Sequence, residues 1–71
     1  MRIKVIVTRN ESHPEGPDER TVGTFDWLQL TYQTLRLSPD GDDLANFTSD
    51  GYWELEADKS TWSDLILEPV A

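Results

Sequence analysis

The stretch Asp26-Trp27-Leu28-Gln29-Leu30-Thr31-Tyr32-Gln33-Thr34-Leu35-Arg36-Leu37 decides the fold class. Asp26 offers an N-cap carboxylate, Gln29 stands three residues on as in a capping box, and Phe25 and Leu30 occupy the two positions of a hydrophobic staple. Phe25, Leu28, Tyr32 and Leu35 follow the three–four spacing of one apolar face. Arg36 falls in the last turn, where a cation meets the negative end of the helix dipole. Ser38 precedes Pro39, which pushes it out of the helical region. The pattern predicts a helix over residues 26–37, with its apolar stripe in the core.

Strand patterns surround this segment. Residues 2–8 (RIKVIVT) are rich in β-branched side chains, with Ile3, Val5 and Val7 on one face. Residues 10–19 contain Pro14, Gly16 and Pro17 among charged residues and predict a long loop, expected to be the most mobile part of the chain. Residues 20–25 predict a second strand, which Gly23 weakens. After a turn at residues 39–43, short strands are expected over 44–48, 52–57 and 62–67. Ser49-Asp50-Gly51 forms the first hairpin connection and Asp58-Lys59-Ser60 the second, and Pro69 ends the last strand or marks a sheet edge. The expected fold class is α+β: one domain over residues 1–71, a small antiparallel sheet of about five strands in the order β-β-α-β-β-β, and one α-helix packed on one face. The expected core is Ile3, Val5, Val7, Phe25, Leu28, Tyr32, Leu35, Trp53, Leu55, Trp62, Leu65 and Leu67.

Charge narrows the function classes. Fourteen acids against six bases give −8. Residues 1–39 balance five acids with five bases, whereas residues 40–71 hold nine acids and only Lys59, so the second half carries the whole excess. Binding to nucleic acid or to an anionic membrane relies on Lys and Arg, which makes both poor partners. A basic protein surface is the natural one. Without cysteine no disulfide forms, which favours a reducing compartment such as a bacterial cytoplasm. Met1 leads straight into a strand pattern rather than a signal peptide, and apolar runs such as Leu65–Leu67 are far too short to span a bilayer.

Candidate chemistry is sparse. His13 is the only histidine, and adjacent Ser12 does not make a nucleophile–base pair, which needs geometry set by a third group. Asp40, Asp42 and Asp43 resemble the start of a calcium loop, but Leu44 and Gly51 stand where further ligands would be needed, so no metal or other cofactor is expected. The expectation is a binding protein, not an enzyme. Its expected partner-binding residues lie on strands of the second half. Glu54, Glu56 and Asp58 share one parity with Tyr52, a candidate aromatic anchor, and Asp64 and Glu68 share a parity on the next strand. Asp40, Asp42 and Asp43 form the rim. Residues two apart on a strand are about 6.5–7 Å apart, similar in order to the phosphate spacing of a nucleic-acid strand.

The run Gly51-Tyr52-Trp53-Glu54-Leu55-Glu56-Ala57-Asp58-Lys59-Ser60-Thr61-Trp62, with the carboxylate-rich second half around it, resembles the C-terminal hairpin of small acidic phage-encoded inhibitors of the anti-CRISPR kind. The resemblance covers about a sixth of the chain. It implies a DNA-mimic inhibitor that occupies the positively charged nucleic-acid-handling surface of a CRISPR effector complex. The same electrostatics suit an immunity protein or antitoxin that neutralises a basic toxin. A small enzyme using acid–base chemistry at His13 is the third class.

Overall fold

The computed structural model describes residues 2–37 and 41–70. Its described residues are about 58% strand and contain no helix, so the domain is all-β and not α+β. Eight strands form two antiparallel sheets: β1 (Arg2–Arg9), β2 (Asp18–Phe25), β3 (Gln29–Leu30), β4 (Thr34–Arg36), β5 (Asp43–Phe47), β6 (Trp53–Leu55), β7 (Thr61–Trp62) and β8 (Asp64–Val70). The three-stranded sheet runs β2-β1-β8 and the five-stranded sheet β3-β4-β5-β6-β7.

The segment expected to be helical forms the β3–β4 hairpin. Its leucines also alternate, Leu28 with Leu30 and Leu35 with Leu37, and Thr31, Thr34, Trp27 and Tyr32 are residue types that favour strands. Thr31 N–H donates to Thr34 O at 2.8 Å and closes the turn. The hairpin supplies what a helix does not, a ladder for the second edge of β5: Thr34 pairs with Asn46, Leu35 with Ala45 and Arg36 with Asp43. Thr34 Oγ1 donates to Asn46 Oδ1 at 3.0 Å and Arg36 Nε to Asp43 Oδ1 at 2.9 Å, fixing the register. The local helix signals are worth tenths of a kcal/mol to about 1 kcal/mol each, and satisfying a strand's edge outweighs them. Tyr32, expected in the core, lies in the hairpin turn and is 91% exposed.

The core lies between the two sheets. Val5 and Val7 of β1 meet Leu35, Ala45, Leu55 and Trp62 of the five-stranded sheet, and Phe25, Leu28, Trp53, Leu65 and Leu67 pack around them. The single strand expected over 62–67 is interrupted at Ser63. There the chain leaves the five-stranded sheet and joins β1, and Ser63 N–H donates to Thr8 O at 2.8 Å. Pro69 sits within β8, an edge strand, where its missing N–H costs no ladder bond. At Gly23, beside the bulge in β2, a Cβ would lie 3.0 Å from the Phe25 ring, so a side chain there would have to displace that ring.

The loop Asn10–Pro17, part of the stretch 10–19 expected to be mobile, carries a buried anchor in His13. His13 is only 4% exposed, and Asn10 O accepts its N–H at 3.1 Å. Glu15 N–H donates to His13 Nδ1 at 3.1 Å, so Nε2 carries the proton and donates to Thr61 Oγ1 at 3.0 Å. The imidazole also lies against Tyr52, with ring centroids 4.9 Å apart. His13 thus ties this loop to β7. His13→Ala is expected to release it, raising amide exchange at Glu15 and Gly16 by about tenfold or more while the β1 amides stay protected. Equal protection in the variant and the wild type would show that something else holds the loop.

Candidate functional site

Trp62 is the hub between the sheets. Its ring is fully buried, and the guanidinium carbons of Arg9 and Arg20 lie 4.3 and 4.9 Å from its centroid. Trp62 Nε1 donates to Ser60 Oγ at 2.8 Å. Arg9 pairs with Glu15 and Asp18, each at 3.0 Å, and Arg20 pairs with Asp58 at 2.7 Å. Arg20 of the three-stranded sheet therefore reaches the β6–β7 turn and neutralises Asp58, one of the carboxylates expected to face a partner.

That turn holds its carboxylates by specific bonds. Asp58 Oδ1 accepts from Ser60 Oγ at 2.6 Å and from Ser60 N at 3.0 Å, which lets Lys59 adopt a left-handed φ of 60°. The Ser60 hydroxyl, then the Ser60 N–H, then Arg20 hold the Asp58 carboxyl well below its ordinary value of 3.8. The hydrogen bond from Lys59, followed by that from Asn46, lowers Glu56 from 4.5, and Glu56 in turn raises Lys59 above 10.5. A depressed carboxylate stabilises the fold above its unfolded value and loses that contribution as pH falls through its folded value. The raised Lys59 contributes below 10.5 and loses its contribution as pH rises through the folded value. Stability should therefore fall from about pH 4 downward. Asp58→Asn should melt lower than wild type at neutral pH and show a shallower acid limb. A parallel acid limb, measured as melting temperature against pH, would remove Asp58 as its source.

The expected partner-binding residues do not form one row. Glu54 is on β6, between the core residues Trp53 and Leu55, and faces outward from the five-stranded sheet. Asp64 and Glu68 are on β8, which pairs with β1, and face outward from the three-stranded sheet. Glu56 is bound by Lys59 and Asn46, Asp58 by Arg20, and Asp43 by Arg36. Asp42 is exposed, and Asp40 lies outside the described residues. Tyr52 is half-buried against His13, so it is not the projecting anchor its parity suggested.

Ion pairs nevertheless leave an uncompensated surface. Among the described residues, five of the six bases are paired, Lys4 being the exception, while Glu11, Glu19, Asp42, Asp50, Glu54, Asp64 and Glu68 pair with no base. They are distributed over both sheets and three connections rather than concentrated on one face. Among the described residues no group of three His, Cys, Asp or Glu side chains is placed to hold a metal ion, and no helix is long and apolar enough to cross a membrane. Both ring nitrogens of His13 are engaged by Thr61 and Glu15.

Sequence reasoning missed the exposed apolar side chains Leu30, Tyr32 and Phe47, and left Trp27 undecided. For Trp27, Leu30 and Tyr32 the strand-type alternation of residues 27–36 was the signal that could have exposed them; Phe47 had no such signal. Comparison with protein-family models, characterised proteins and solved structures finds no match to this chain.

Proposed function

We propose that the chain is an acidic binding protein that occupies a positively charged, nucleic-acid-binding surface of a partner in the bacterial cytoplasm, as an inhibitor of the DNA-mimic type. A CRISPR effector complex is the partner class implied by the resemblance of its second half. The observation that carries this reading is the charge left after internal pairing: seven described carboxylates pair with no base, against one such lysine. The free carboxylates lie on different faces, so the mimicry acts through the field of the near side rather than a phosphate-spaced row. The described Cα atoms extend 34 × 25 × 19 Å, and screening acts over about 10 Å at 0.1 M salt. Carboxylates on the far side thus add little at physiological ionic strength.

The immobilised chain should retain nucleic-acid-binding proteins from host lysate at low salt. It should release them to added salt and to excess duplex DNA or RNA. Retention that salt does not weaken, or retained proteins that nucleic acid does not displace, would overturn the reading. The second result would instead fit neutralisation of a basic toxin away from any nucleic-acid site.

A further inference from the structure

Among the described residues five large hydrophobic side chains remain exposed, and three of them lie within six residues: Trp27 at 56%, Leu30 at 53% and Tyr32 at 91%. They lie on or beside the β3–β4 hairpin, at the edge of the five-stranded sheet. A fourth, Phe47, is brought beside the turn by its backbone N–H, which donates to Gln33 O at 2.7 Å. Its ring meets Trp53 edge-on at 5.3 Å. Leu30 is the register partner of buried Leu35. The apolar face of the larger sheet therefore continues past the part that the three-stranded sheet covers. Tyr and Trp are the side chains that most often carry binding energy in interfaces.

The surrounding charge selects the occupant. Residues 26–54 hold six acids and one base, Arg36. Arg36 is paired with Asp43 and Asp26 with Arg2, Glu54 faces the other side of the sheet, and Asp42 and Asp50 in the neighbouring connections pair with no base. A second copy would bring like charge against like charge, whereas a basic partner would meet complementary charge around an apolar centre. We propose that this strip is the apolar centre of the interface with a basic protein partner, with the carboxylates as its rim. The proposal rests on the reading of the chain as a binder of basic surfaces and adds where the binding energy resides.

Two synthetic peptides of equal positive charge test it against the 15N-labelled chain: an amphipathic peptide of Arg and Leu, and an oligolysine. The Arg/Leu peptide should bind about tenfold tighter or better, with its largest shift changes at Trp27, Leu30, Tyr32 and Phe47. Tyr32→Ser, at an almost wholly exposed position, should abolish that advantage and leave oligolysine binding unchanged. Trp27→Ser, checked for a folded spectrum, should do the same. Equal affinities for the two peptides, or shift changes confined elsewhere, would overturn the strip and leave the acidic-binder reading standing. If neither peptide binds at low salt, that reading falls as well. A dimer in sedimentation equilibrium that Tyr32→Ser dissociates would make a second copy the occupant and overturn the proposal.

Discussion

Trp62→Ala is expected to unfold most of the protein at ambient temperature. The ring is fully buried between the two sheets, beneath the Arg9 and Arg20 guanidiniums, and its indole N–H is bonded to Ser60. Truncating a buried tryptophan costs about 3–5 kcal/mol, and removing the aromatic face from each guanidinium adds about 0.5–2 kcal/mol. Small domains stand near the low end of the usual range of about 5–15 kcal/mol, because they bury a smaller share of their surface. Trp62→Phe keeps an aromatic face for the guanidiniums and gives up only the indole N–H and some volume. It should remain folded with a lower urea midpoint. Far-UV circular dichroism and urea titration of both variants test this. If Trp62→Ala melts within a few degrees of the wild type, Trp62 is not what joins the two sheets.

The triple reversal Asp42→Lys, Glu54→Lys, Asp64→Lys is expected to slow association with the partner retained in the displacement assay by about 10–10³-fold at low salt. The three positions take part in none of the six ion pairs, so folding should be preserved. Each substitution changes the charge by two units, so the total goes from −8 to −2. The difference from wild type should shrink as salt rises, because steering is screened. Arg2→Glu with Lys4→Glu shifts the charge by four units the other way, from −8 to −12, and should leave association as fast or faster. Stopped-flow rates against ionic strength, with thermal melts of each variant, are the measurement. If the triple variant binds like the wild type and the Arg2/Lys4 variant does not, the interface lies on β1 and mimicry by the acidic surface is wrong.

The parts of this protein legible in the sequence are those whose signal is local. Ile3, Val5 and Val7 recur at a period of two among β-branched residues, and Val5 and Val7 are fully buried in β1. Gly51, expected to supply positive φ in the hairpin turn, has φ 87°. Composition also fixed the net charge and the absence of disulfides. Residues 26–37 satisfy two periodicities at once, three–four and two, and local capping terms favoured the helix. What settles the segment is the unpaired edge of β5, which the sequence of the segment does not contain. The site follows the same rule. Buried His13 finds its partner in Thr61, 48 positions away, whose hydroxyl oxygen accepts a hydrogen bond from Nε2–H. Asp58 is held at the surface by Arg20, 38 positions away. Asp64 parts from Glu54 because the chain changes sheets at Ser63. Sequence determined the alternation of β1, how many charges there are and the turn at Gly51. Tertiary structure decided which strands meet, which carboxylates find a cation and which aromatic side chains are left outside, because each depends on groups that folding alone brings together.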